Sequence, residues 1–226
     1  MPPTEKNQHR LHDIKQKIAQ AAHLIKRPPD DINLIAVSKT QDENSITPLL
    51  EAGHRIFGEN RVQEAQKKWP QLKATYPGVE LHLIGPLQSN KTKEAVALFD
   101  VIHTVDRSKI AKTIKDQMET QDKQLKLFIQ VNTGEEPQKA GIATEQLDEF
   151  VEYCQHDLRL PIAGLMCIPP MEEEPALHFA LLAKKASALG LKELSMGMSA
   201  DYETAIQFGA TYIRVGTALF GERGQR

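Results

Sequence analysis

One lysine follows the first buried apolar run of the chain. The segment Ala36-Val37-Ser38-Lys39-Thr40 places the Lys39 amine directly after β-branched and aliphatic residues that begin at Leu34. An amine at the mouth of a folded domain is partly desolvated, and the neutral form of such an amine condenses with carbonyl groups. Most lysines at strand ends are solvated, so Lys39 indicates Schiff-base chemistry only together with other residues.

Two segments near the C-terminus carry residues suited to an anion. Met198-Ser199-Ala200-Asp201 is predicted to open a helix after one strand, and Arg214-Val215-Gly216-Thr217 ends the next strand. Glycine allows close backbone approach, while main-chain N–H groups and hydroxyls donate hydrogen bonds to phosphate oxygens. Ser199 alone could be a helix N-cap and Gly216 alone a tight turn. Their joint placement favours a phosphate site.

Two further polar residues each have two interpretations. Arg214 lies inside a strand, where a guanidinium needs a partner, which could be a structural ion pair with Glu59 or a ligand. Asn60, three residues before Gln63, could be the N-cap in a capping-box-like arrangement or could face a ligand ring.

Other reactive residue types give weaker signals. His82 and His103 fall within separate strands without a third metal ligand nearby in the sequence, so no metal site is predicted. Cys167 at a strand end could be a nucleophile, although a small buried side chain is the ordinary interpretation. The residues alone therefore assign no catalytic group.

The elements that must position these residues alternate between two types. Amphipathic segments alternate with eight short apolar runs: 34–39, 55–60, 81–85, 101–106, 127–132, 162–167, 194–198 and 212–217. The β then α order predicts a parallel (β/α)8 TIM-type barrel, whose active face lies at the C-terminal ends of the strands. Helical spacing of Leu11, Ile14, Ile18 and Ala22 adds an N-terminal helix. An open doubly wound sheet is the structural alternative.

Composition restricts the remaining classes. The chain has 226 residues, 40% of them hydrophobic, and a formal net charge of -2. No linker divides it, so we expect one domain over residues 1–226. The charge balance disfavours nucleic-acid binding, and no stretch approaches membrane-spanning length. Two cysteines, Cys154 and Cys167, without a C-x-x-C pair favour a cytoplasmic protein.

Five motifs closely resemble those of the pyridoxal phosphate homeostasis proteins, also called the pyridoxal phosphate-binding protein family. They extend over essentially the whole chain in the family's order: Ala36-Val37-Ser38-Lys39-Thr40, Phe57 to Glu64, His82 to Lys91, Leu194 to Asp201 and Ile213 to Gly221. The resemblance implies a barrel similar to the N-terminal domain of alanine racemases, with Lys39 linked to pyridoxal 5′-phosphate as an aldimine. It also implies that Ser199, Gly216 and Thr217 hold the phosphate, that Arg214 faces the pyridine nitrogen and that Asn60 lies near the ring.

The resemblance implies a protein that binds, carries or buffers the cofactor in vitamin B6 homeostasis, without established catalysis. A guanidinium offers only donors, so a ring nitrogen facing Arg214 stays unprotonated and the ring is a poor electron sink. The end of the chain at Arg226 leaves no room for the second domain of racemases, so we rank binding above catalysis. We expect a monomer whose partners include apo-enzymes that require the cofactor.

Three rival functions stay open from the sequence. The first is a racemase-like enzyme that uses the same cofactor with a local Cys, Tyr or Lys as second base. The second is an aldolase-like barrel without a cofactor, in which Lys39 acts on a sugar phosphate held between Ser199 and Thr217. The third is a scaffold for a protein partner.

Overall fold

Eight parallel strands close into a barrel in the computed structural model, which describes residues 3–221, with side chains from residue 6 onward. They are β1 (Asn33–Val37), β2 (Ile56–Glu59), β3 (Glu80–Leu83), β4 (Val101–Val105), β5 (Lys126–Asn132), β7 (Ile162–Cys167), β8 (Glu193–Met198) and β9 (Tyr212–Val215). A two-residue strand, β6 (Ile142–Ala143), pairs with the end of β5. The neighbour order is β4-β3-β2-β1-β9-β8-β7-β5, and β4 pairs with β5 to close the ring. The predicted closed barrel is confirmed, and the open-sheet alternative is wrong.

Helices surround the barrel and connect its strands. They are α1 (Pro3–Leu24), α2 (Glu43–Glu51), α3 (Val62–Thr75), α4 (Thr92–Leu98), α5 (Ser108–Thr120), α6 (Leu147–Glu152), α7 (Pro175–Ala188), α8 (Tyr202–Gln207) and α9 (Thr217–Phe220). Short 3-10 helices lie at Pro29–Asp31 and Ser89–Lys91, and a π-helical turn, Tyr153–Asp157, follows α6.

The predicted N-terminal helix is present outside the β/α repeat. The apolar face of α1, which includes Leu11, Ile14 and Ile18, is buried, and the helix packs against α2, α8 and α9. Its last helical residue is Leu24, and two residues later the backbone at Lys26 takes a left-handed φ of 56° that turns the chain away from the helix.

Apolar side chains form two separate clusters, one inside the barrel and one outside it. We call the interior of the barrel the lumen. The inner cluster fills it with Ile35, Val37, Ile84, Val101, Phe128, Met166 and Tyr212. The larger cluster lies between the strands and the helices. Because side chains alternate along a strand, every second residue of β1, including Ile35 and Val37, points into the lumen. Each of the other strands likewise directs every second side chain inward. This alternation determines which polar residues can meet at the mouth of the barrel.

Candidate functional site

Lys39 lies at the mouth of the lumen, just beyond β1. It sits in a turn closed by a hydrogen bond from the Gln41 N–H to the Ser38 carbonyl at 3.0 Å, and its side chain is half-buried. The turn begins directly after the inward-facing Val37, so the backbone of Lys39 lies at the rim of the lumen.

A buried polar network fixes the turn that carries Lys39. The Ser38 hydroxyl donates to Glu59 Oε1 at 2.6 Å, and the indole of Trp69 donates to the same oxygen at 3.0 Å. The Lys68 ammonium lies 2.9 Å from that oxygen, and Glu59 and Lys68 are both buried. Burial raises the pKa of Glu59, and the charge of Lys68 opposes this rise. Sequence reasoning missed the network, whose one signal was an acid at the end of an apolar strand.

Ser199 joins the loops that follow β8 and β9. Its Oγ accepts hydrogen bonds from the N–H groups of Gly216 and Ala218, at 3.2 and 3.3 Å. A hydroxyl has two acceptor lone pairs and one donor, so these bonds use both lone pairs and leave the O–H to donate. Thr217, between the two N–H groups, is exposed at the first position of α9. These residues form a cluster of donors suited to an anion.

The N-cap alternative for Ser199 is wrong, because the N-cap of α8 is Asp201. Asp201 instead accepts a hydrogen bond from the Met198 N–H through its side chain. Just before them, Gly197 has a φ of +89°, and a Cβ there would lie 2.5 Å from the Cβ of Ala205. Glycine at this position therefore allows the end of β8 to pack closely on α8 and sets the position of Ser199.

Gly216 opens the turn that begins α9, since its carbonyl accepts from the Leu219 N–H at 2.9 Å, and its φ is -117°. A Cβ built on it would lie 3.4 Å from the Val37 Cβ, so the backbone at Gly216 packs beside the end of β1. Because β1 pairs with β9, this contact places the anion-binding donors on the strand next to Lys39. The two halves of the predicted site therefore meet at one edge of the mouth.

Arg214 is buried in the lumen, 4% exposed, one layer below these loops. Its Nη1 donates to Ser195 Oγ at 2.7 Å, and its Nη2 donates to the Cys167 carbonyl at 2.8 Å. The predicted alternative of an ion pair with Glu59 is wrong, because Glu59 faces Lys68 on the helix side. No carboxylate forms an ion pair with Arg214 among residues 6–221, and burial lowers its pKa. A guanidinium stays protonated even when burial lowers its pKa, and the two hydrogen bonds leave it further N–H donors for a ligand.

Asn60 follows β2 at the same mouth. The N-cap of α3 is Arg61, without a side-chain cap, so the capping alternative for Asn60 is wrong. Asn60 Oδ1 is buried and has no hydrogen-bond partner among the described residues. A Cβ on Gly85 would lie 2.3 Å from the Asn60 carbonyl oxygen. The loop that follows β3 can therefore pack against Asn60 only because residue 85 is glycine. An unpaired buried acceptor carries a desolvation cost, and it indicates a group that a ligand or water would satisfy.

A basic groove opens beside Asn60. It has a volume of about 880 Å³ and contains one acid, Glu64, against four basic side chains: Arg61, Lys67, Lys91 and Arg107. Glu64 is bonded to Lys68 at 3.1 Å, while Lys91 and Arg107 are paired with Glu94 and Asp106. The positive charge that the groove presents next to the mouth of the barrel therefore comes mainly from Arg61 and Lys67.

Two other classes of site receive no support from the described part of the chain. Among residues 3–221 no group of three or more His, Cys, Asp and Glu side chains is placed to hold a metal ion. Nor does any helix in that range have the length and apolar character needed to cross a membrane.

The fold and the site define a class of protein: a parallel barrel with a lysine beyond its first strand and loops joined by a serine hydroxyl after its last two. Residues 10–224 match the family described as alanine racemase, N-terminal domain. The pyridoxal phosphate homeostasis protein of Escherichia coli (strain K12) is 42% identical over 226 residues, with 95% of this chain and 96% of that protein covered. The protein of the same name from Vibrio cholerae is 40% identical, with 96% of each covered. The chain belongs to the alanine racemase N-terminal domain family, and within it to the pyridoxal phosphate homeostasis proteins.

Solved structures agree with this assignment. PipY of Synechococcus elongatus PCC7942, solved with PLP bound, superposes with a TM-score of 0.78 at 38% identity, over 90% of this chain and 100% of that one. An alanine racemase from Bartonella henselae with covalently bound pyridoxal phosphate has a TM-score of 0.74 at 16% identity, over 98% of this chain and 61% of that one. The racemase shares the fold of the barrel, and PipY shares both fold and sequence.

Proposed function

We propose that this protein binds pyridoxal 5′-phosphate at the mouth of its barrel and takes part in vitamin B6 homeostasis, and indirectly in amino-acid balance, as a binding protein. The observation that carries the proposal is the link through Ser199 between the loops after β8 and β9, beside the strand that leads to Lys39. Under this proposal the Lys39 amine attacks the aldehyde carbon, water leaves, and a Schiff base results. The cofactor would supply an electrophilic carbonyl and an anchoring phosphate.

The residues present fit that cofactor. The Ser199 O–H and the exposed Thr217 hydroxyl would hold the phosphate, and Gly216, whose N–H donates to Ser199 Oγ, would allow its close approach. The unpaired Oδ1 of Asn60 would face the ring. Arg214 would donate to the ring nitrogen, which must then stay unprotonated because guanidinium does not release its proton. This arrangement favours covalent binding over stabilisation of a carbanion.

The state of nearby side chains supports binding over racemisation. A second base would have to accept a proton near neutral pH. Burial raises the pKa of both thiols, Cys154 and Cys167, to about 12, and raises the pKa of Tyr202 to about 12 as well. These three groups stay protonated at neutral pH, so none of them is prepared to act as the second base, and the racemase alternative would need a lysine or another tyrosine.

Delivery to apo-enzymes is the part of the proposal supported by the basic groove. The groove shares Asn60 with the cofactor site, so an acidic segment of a recipient would dock beside the bound cofactor. We further propose that the protein acts as a one-domain monomer in the cytoplasm, where the free thiols Cys154 and Cys167 would persist.

Borohydride trapping tests the covalent link. We expect reduction of the loaded protein to fix one cofactor per chain on Lys39, as read by peptide mass spectrometry, with loss of the visible absorption band. Lys39→Ala should abolish the adduct, and Lys67→Ala, which removes a lysine from the adjacent groove, should not. A Lys39→Ala protein that keeps the same chromophore and stoichiometry would show that the assignment is wrong.

A further inference from the structure

Two histidines lie in hydrogen-bond contact inside the lumen, below the proposed cofactor site. His82 on β3 and His103 on β4 are both fully buried, and His82 Nδ1 is 2.8 Å from His103 Nε2. The His103 ring also stacks on Phe128, with 4.4 Å between ring centroids and 4° between ring planes. The two imidazoles are therefore held in one orientation.

Glu80 determines the direction of the hydrogen bonds in this pair. His82 Nε2 lies 2.7 Å from Glu80 Oε1, and this hydrogen bond lowers the pKa of Glu80, so the carboxylate can only accept. Burial lowers the pKa of His82 and of His103, so both imidazoles are neutral near pH 7. His82 must then carry its proton on Nε2 and accept at Nδ1, and His103 must donate from Nε2.

The remaining nitrogen of His103 is an acceptor as a result. His103 Nδ1 is buried and has no hydrogen-bond partner among the described residues. The His103 ring packs 5.9 Å from the ring of Tyr212, which precedes Arg214 by two residues on β9. Two residues along a strand span about 7 Å, so Arg214 occupies the next layer toward the mouth.

We propose that Glu80, His82 and His103 form a positioning relay that presents His103 Nδ1 as an acceptor to an Arg214 N–H through one buried water. The ring-nitrogen part of this inference rests on the proposed function. A neutral imidazole can orient the guanidinium without neutralising it, whereas a carboxylate in its place would pair with the charge. The other charged groups of the lumen, Lys126 and Glu193, pair with each other at 3.0 Å. The relay would thus keep a full positive charge directed at the ring nitrogen.

The tautomer of His103 tests the relay without any cofactor. Heteronuclear NMR of the imidazole nitrogens should show Nε2 protonated and Nδ1 unprotonated in the wild-type protein. In Glu80→Gln the amide can donate or accept, so both directions of the chain become available and His103 should show mixed tautomers. Glu193→Gln, which changes an acid at the same end of the lumen but outside the relay, should leave His103 unchanged. A wild-type His103 protonated on Nδ1 would overturn the inference.

The effect on the site is read from the loaded protein. Loss of one oriented neutral hydrogen bond to Arg214 should raise the Kd for pyridoxal 5′-phosphate about fivefold in Glu80→Gln and shift the visible absorption band. Glu193→Gln should change neither quantity. Mixed tautomers in Glu80→Gln with unchanged affinity and spectrum would refute the coupling to Arg214. Failure of trapping at Lys39 would instead refute the proposed function, while the NMR result would still decide the direction of the relay.

Discussion

Lys68 on α3 donates a hydrogen bond to the main-chain carbonyl of Ser38, the residue before Lys39, at 2.8 Å. The same ammonium donates to the Gln41 carbonyl at 3.0 Å, on the other side of Lys39. A helix side chain thus holds both ends of the turn that carries Lys39. Its own position depends on the buried pair with Glu59.

Replacement of Lys68 tests this arrangement. In Lys68→Met the Glu59 carboxylate stays buried without its cation, so we expect the free energy of unfolding of the cofactor-free protein to fall by about 3 kcal/mol. Denaturant unfolding followed by circular dichroism measures the change. The double variant Lys68→Met/Glu59→Gln should recover most of the loss, because no buried charge remains. Equal losses in the single and double variants would contradict the role of the pair.

Asn60→Ala should have opposite effects on stability and on binding. Because Asn60 Oδ1 is buried and unpaired, its removal should leave the cofactor-free protein as stable as before or stabilise it by about 1 kcal/mol. The same change should weaken cofactor binding about fivefold if the amide faces the ring. Thermal unfolding and absorbance titration measure the two quantities. A clear destabilisation of the cofactor-free protein would assign Asn60 a structural role instead.

Ser199→Ala tests the anion-binding loops by comparing two ligands. The variant loses the Ser199 O–H donor and also the oxygen that accepts from the N–H groups of Gly216 and Ala218. We therefore expect the affinity for pyridoxal 5′-phosphate to fall at least about tenfold. Pyridoxal, which lacks the phosphate, should bind the variant and the wild type equally. Equal losses for both ligands would place Ser199 away from the phosphate.

His54 should make the protein sensitive to mild acid. Burial lowers the pKa of His54 from 6.5 to about 4. The unfolded chain therefore binds a proton at His54 more readily than the folded protein does. The contribution of neutral His54 to the free energy of unfolding is fully present above pH 6.5 and is lost as the pH falls toward 4. The loss amounts to roughly 3 kcal/mol.

Unfolding experiments between pH 8 and 4 measure the His54 effect. In His54→Gln the free energy of unfolding should depend less steeply on pH. Part of the dependence should persist, because burial also lowers the pKa values of His82 and His103. An unchanged slope in His54→Gln would mean that His54 titrates normally in the folded protein.

Charge reversal in the basic groove tests delivery of the cofactor. Arg61→Glu/Lys67→Glu should slow transfer to an apo-enzyme, measured beside a scavenger of free cofactor, and the wild-type rate should fall with added salt. Lys184→Glu, on the exposed side of α7 outside the groove, should transfer at the wild-type rate. A transfer rate no faster than free release in the wild type would refute direct delivery.

The sequence alone allowed prediction of the elements and of the strand ends that carry polar residues. The apolar runs before Lys39, Asn60 and Ser199 lie in β1, β2 and β8, because short β-branched runs between amphipathic segments have few other folds available. The bounds of helices such as α2, with Pro48 inside it, and the seven-residue α4 were not predicted, because their periodicity is short or interrupted.

Only the tertiary structure decided which polar groups meet. Arg214 was equally compatible with Glu59 and with a ligand until the helix-facing side of β2 placed Glu59 against Lys68. His82 and His103 are 21 residues apart in the sequence. They are partners because β3 and β4 are neighbours and both side chains point into the lumen. A strand pattern records the side on which a residue lies, whereas contact across the barrel depends on closure and register, which arise from all eight strands together.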